Sequence, residues 1–373
     1  MKNKSKLFGV YLPIFIGVFF IAVTMRSVAL ILHFNFDSDY YTSKALISVA
    51  DYLVFAASVL FFTYRFTARN DIKLIPNFTS PATYVPTGLV TVAMVFMIRW
   101  LFTRSGELRE YIDYLKDLAS PSAISMIPTQ KILMVLLTAS AIFASLSIVH
   151  FILTALVESH FSTKRGSFGL CTVVFLALYS AYLYYSNTLP LNAPNKTVDE
   201  MALLFAAIFF LYETRLSIGR EKWRSYISFG FIAALISGYS AIPSLIVYFV
   251  KGEVISNSIY ETALMLTLFI FITTRLILTG ELTEDKECKT VSALIKFAES
   301  RNELINPISE ESSVVEISGE ELTEAEEGEA FSENDENQIT IDDVEAESAS
   351  DSEKEELLQN DSLTENKLTE SDQ

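Results

Sequence analysis

The chain has 373 residues, 51% of them hydrophobic, yet its formal net charge is −17. Position reconciles the two figures: of 45 acidic and 28 basic side chains, 30 and 6 lie after residue 280, which leaves the first part at +7 and the tail at −24. Windows of about 20 apolar residues, long enough to cross a ~30 Å hydrocarbon core, recur through the first part and exclude an ordinary soluble globule.

Eight such windows are counted, at approximately 7–32, 44–66, 84–103, 131–157, 167–186, 200–219, 226–250 and 258–279. The first follows a Lys-rich start in the manner of a signal peptide. Its apolar run is too long for that, and no small-x-small cleavage site follows, so it reads as an uncleaved span bent at Pro13. The link over 33–43 has no Lys or Arg, whereas the next carries Arg65, Arg69 and Lys73. The positive-inside rule then sets the N-terminus in the cytoplasm. Later inner segments hold Lys164 and Arg165, then Arg220, Lys222 and Arg224, then Lys286 and Lys289. An even number of spans brings the C-terminus to the same side.

One link is discordant. Residues 104–130 are expected outside, yet they contain Arg104, Arg109 and Lys116. Leu108, Tyr111, Ile112 and Leu115 recur at helical spacing, which predicts an amphipathic helix lying on the outer surface.

In the seventh span Gly230, Ala234 and Gly238 recur every four residues and form one smooth ridge, where another backbone could approach closely. The ridge would serve a dimer as readily as an internal contact, so the oligomeric state stays open. Pro243 predicts a kink in the outer part of this helix. The chain after residue 280 splits into a juxtamembrane segment, 281–306, with the makings of a short helix, and an aromatic-poor acidic tail, 307–373. That tail cannot bury enough apolar surface to order itself and is expected to be disordered.

A charge at membrane depth costs about 2.5–3.5 kcal/mol on insertion scales, so those retained face other helices and have partners. Counting helical rise from the links sorts them into two layers. In the outer layer Arg26 and Asp51 match in depth, Arg99 is placed to join them, and Glu261 could supply a second carboxylate. In the inner layer Glu213 and Arg275 match, and Glu213 shares a face with Ala202 and Ala206. Two readings compete: pairs that fix which helix neighbours which, or the lining of a transport pathway. His150 reads as a hydrogen-bonded core residue.

Three scattered histidines and two cysteines supply no metal motif and no disulfide framework. No nucleophile elbow, phosphate-binding loop or dinucleotide-binding glycine motif is present. No enzymatic activity, cofactor or nucleic-acid partner is expected. Asn195-Lys-Thr197 fits the glycosylation pattern, as three residues often do by chance. The succession 191–196, 210–215 and 219–224 resembles a group of uncharacterised polytopic membrane proteins of Gram-positive bacteria. That resemblance covers roughly 188–250 and implies a bacterial cell membrane, with no functional residues attached.

The expectation is therefore an all-α, eight-span, polytopic helix bundle over 1–280 in contact with the lipid bilayer. Its role is read as a membrane scaffold or sensor whose acidic tail meets a cytoplasmic protein; the alternative is a small-solute or ion transporter built on the buried charges.

Overall fold

A computed structural model describes residues 10–36, 38, 40–67, 73–76, 81–118, 120–156, 162–186, 193–219, 222–255 and 258–282. Apart from residues 281–282, the juxtamembrane segment and the acidic tail lie outside the described residues.

Eight long helices follow in order: α1 (Leu12–His33), α2 (Ala45–Thr67), α3 (Tyr84–Leu118), α4 (Pro121–Leu156), α5 (Thr163–Tyr185), α6 (Pro194–Ser217), α7 (Trp223–Lys251) and α8 (Ile259–Ile277). Seven are long and apolar enough to cross a membrane; α6 is not counted with them, since Lys196, Asp199, Glu200, Glu213 and Arg215 interrupt it. Two short antiparallel pairs complete the fold. Strands β1 (Phe34–Asn35) and β2 (Tyr40–Tyr41) close the α1–α2 link. Strands β3 (Lys73–Pro76) and β4 (Thr279–Leu282) join the α2–α3 link to the exit of α8, a pairing with no signal in the apolar pattern.

Helices α3 to α8 close a ring, each packed on the next and α8 returning to α3. Helices α1 and α2 pack on each other and, from outside the ring, on α7. Successive helices alternate in direction. The end where α1 begins is called the first end, and the end where it finishes the second.

α7 is the keystone: 83% of its most apolar stretch is buried, against 28% for α2. Lipid offers no hydrophobic gain for helix association, so packing must come from close fit, and α7 supplies it with small residues. Gly230, Ala234 and Gly238 are all buried. Their ridge meets side chains of neighbouring helices, so the contact described there is the internal one of the two left open. Gly230 faces Leu276 and Phe209, and Gly238 faces Phe19 and Phe269. The helix runs unbroken through Pro243.

The 104–118 segment is also corrected. It is not a separate surface helix but the continuation of α3, so α3 and α4 have 35 and 36 residues. At 1.5 Å per residue that is roughly 50 Å, well beyond a ~30 Å core. The apolar stripe Leu108, Ile112 and Leu115 is buried in this hairpin rather than on a bilayer surface. Ser105 and Thr138 hydroxyls join the two helices at 2.8 Å. On the exposed side Lys116 Nζ donates to Asp113 at 2.6 Å, and this holds the Asp113 carboxyl below the usual carboxylate range.

Candidate functional site

Near the first end the ring encloses a layer of ionisable groups drawn from five helices. α6 presents Glu213 and α8 presents Arg275, with Oε1 and Nη2 3.1 Å apart and both side chains 1% exposed. The contact is an ion pair without hydrogen-bond alignment at those two atoms. α5 adds Arg165, fully buried in its first turn, where Ser162 caps the helix by accepting from the Arg165 backbone N–H. α4 adds His150, whose Nδ1 lies 3.1 Å from the Arg165 carbonyl. α7 adds Tyr226, buried, with its ring 4.9 Å from that of Phe209. Gly169 allows this convergence, because a Cβ there would meet Thr214 Oγ1 at 2.5 Å and the His150 ring at 3.2 Å. Arg275 and Arg165 thus both lie in the layer that holds Glu213.

Three rings cover this layer toward the membrane centre. Phe151, Phe210 and Phe271, from α4, α6 and α8, contact one another at 5.5 to 5.7 Å between centroids and are buried. Beyond them an aromatic ladder on one face of α5, Phe175–Tyr179–Tyr182, leads toward the second end with spacings of 6.2 and 5.8 Å.

The second end has its own polar layer. Tyr179 donates to Glu261 Oε2 at 2.9 Å, and Ser258 caps α8 beneath it. Asp199 is buried and accepts from Ser240 in a short contact. Lys196 Nζ donates to the Ser186 and Tyr184 carbonyls at 2.8 and 3.1 Å, neutralising the C-terminal end of α5. At this end a cup of about 440 Å³ lies between α3, α4 and α5, lined by Arg104, Glu107, Tyr111, Gln130 and Tyr182.

Outside the ring, Arg26 joins α1 to three other helices. Its Nη2 donates to Asn195 Oδ1 at 2.8 Å, its guanidinium sits 4.6 Å over the Tyr239 ring, and Nη1 lies 4.0 Å from Asp51 Oδ1. Tyr239 donates to the same Asp51 oxygen at 2.6 Å. Two residues assigned to this group belong elsewhere. Arg99 is exposed on α3, a helix that does not adjoin α1 or α2, so it forms no part of the cluster. Glu261 is buried but serves Tyr179. The glycosylation pattern fails on the same geometry, because Asn195 is buried against Arg26.

Arg165, Asp199 and Tyr179 were not singled out from the sequence, although Asp199 lies fourteen residues before Glu213 on the Ala202/Ala206 face and Gly169 follows Arg165 by one helical turn. Comparison with known protein families, curated proteins and solved structures gave no match. The fold and its apolar helices define the class: this is a multi-pass helical membrane protein whose outer faces meet lipid.

Proposed function

We propose that the protein is a transporter that moves a small anionic solute through the α3–α8 ring. The supporting observation is the layer inside the ring where Arg275 and Arg165 are both buried beside Glu213. Buried guanidinium groups can attract an anionic guest, and intramembrane charges of this kind mark pathways in many membrane proteins. The 440 Å³ cup at the second end has the size of a small-molecule site. Phe151, Phe210 and Phe271 stand between the two ends as a plug, so the described state is read as closed.

The test is flux into vesicles carrying the full chain, with radiolabelled chloride, acetate and phosphate as probes. Uptake of at least one is expected, and Arg275→Gln is expected to abolish it while the protein still elutes as a folded species. Equal uptake by that variant would make the layer a structural clamp.

The same reading sets both termini in the cytoplasm of a bacterial cell membrane, on the strength of the basic inner links. With Cys171 and Cys288 replaced by Ser, a cysteine at exposed Ser38 is expected to react with an impermeant reagent from outside, and one at exposed Lys222 only after lysis. Labelling of intact cells at Lys222 would invert the topology. A second reading, a scaffold or sensor acting through its tail, draws on the −24 charge after residue 280. Truncation after residue 306 would then lose a cytoplasmic partner and keep the bundle.

A further inference from the structure

Helices α2 and α6 both flank α7 without packing on each other, and the gap between them is a groove of about 790 Å³ on the lipid-facing side of the bundle. On α2 it runs eleven residue steps, from Asp51 to Phe62, and on α6 another eleven, from Pro194 to Phe205. At 1.5 Å per residue each edge is roughly 17 Å, about the depth of one leaflet of a ~30 Å hydrocarbon core. Phe62, Phe205 and Phe229 close the deep end, and the middle is walled by residues such as Val54 and Met201.

The other end is polar in one place. Asp51 and Tyr239 line the groove there, and the Asp51 side chain is 46% exposed although its helix is apolar enough to cross a membrane. Its Oδ1 is occupied by the Tyr239 hydroxyl and faces Arg26, whereas Oδ2 takes part in neither contact. Arg26 is 1% exposed, so its charge lies behind the carboxylate and is closed to anything in the groove. The groove thus offers a leaflet-deep apolar channel headed by an accessible carboxylate oxygen. We propose that it binds a membrane-dissolved amphiphile with one apolar chain and an amine head, the chain lying between α2 and α6 and the ammonium on Asp51. An acidic head is disfavoured by the same carboxylate, and a chain without a donor leaves Oδ2 with no contact from the groove. The site lies outside the ring and does not depend on the transport reading.

The experiment is equilibrium dialysis of the full-length chain in an uncharged detergent against radiolabelled dodecylamine, with laurate as the acidic counterpart of the same chain. Saturable dodecylamine binding is expected, at least tenfold tighter than laurate. Asp51→Asn is expected to remove that preference. Because Asp51 also faces Arg26, a second variant is needed away from the ion pair. Ser58→Trp, in the middle of the groove, is expected to weaken both ligands at least tenfold with the melting temperature little changed. Three results would overturn the proposal: laurate bound as well as dodecylamine, uptake no greater than that of protein-free micelles, or full amine binding in both variants.

Discussion

Glu213→Gln is expected to destabilise the bundle far more than Arg275→Gln, although the two side chains form one pair. Removing Glu213 takes away the carboxylate that both Arg275 and Arg165 face and leaves two guanidinium groups in one buried layer. Breaking a buried pair from that side costs about 3–5 kcal/mol. Removing Arg275 leaves Arg165 with Glu213, one charge of each sign. The loss is then closer to that of a charge-assisted contact, about 1.5–3 kcal/mol. Thermal unfolding of the two variants in the same detergent reads the difference directly. Equal midpoints, or the reverse order, would show that Arg165 does not depend on the Glu213 carboxylate. The asymmetry also makes Arg275→Gln the right variant for the flux experiment, since its loss of uptake would not be loss of the fold.

Gly238→Ala is expected to cost more than Gly230→Ala, although both add one methyl to the same buried helix. At Gly238 a Cβ would come within 2.5 Å of Phe19 and 2.8 Å of Phe269, whose rings are stacked 4.9 Å apart between α1 and α8. Each ring is held in place by the other, so room for the methyl comes at the expense of their stacking. Overpacking of this kind costs about 1–3 kcal/mol, and Gly238→Leu should exceed it and prevent α1 from seating. At Gly230 the nearest atom, at 2.7 Å, is the terminal methyl of Leu276, which a change of rotamer can move aside. Unfolding midpoints of the two alanine variants decide the matter; a Gly230→Ala loss as large as that at Gly238 would mean that Leu276 is locked.

Much of this architecture is legible in the order of residues because the bilayer imposes one length on every crossing. Apolar windows therefore locate α1, α2, α5, α7 and α8 well. They fail where helices outrun the membrane. Residues 104–118 have the composition of a surface helix, and only packing against the start of α4 tells that their stripe faces protein rather than headgroups. Depth counting matches Glu213 with Arg275 because helical rise is uniform. It does not give azimuth, and Arg99 has a suitable depth on a face that turns away. Arg165 was read as a basic residue of an inner link because it opens a helix, a position that suits a snorkelling side chain equally well. Its burial is decided by Gly166 and Gly169, which let α6 and His150 close over it.

The placement of α7 has a consequence for biosynthesis. The α1–α2 hairpin emerges before the ring helices, yet its main partner outside itself is α7, whose last residue, Lys251, is made about 180 residues after the end of α2. At the ~5–20 residues per second of translation, the hairpin waits roughly 10–40 s in the membrane with Phe15, Phe61 and Arg26 uncovered. A hairpin inserted ahead of the ring is thus among the last elements to dock, and a ribosome stalled after α6 would leave it with nowhere to go.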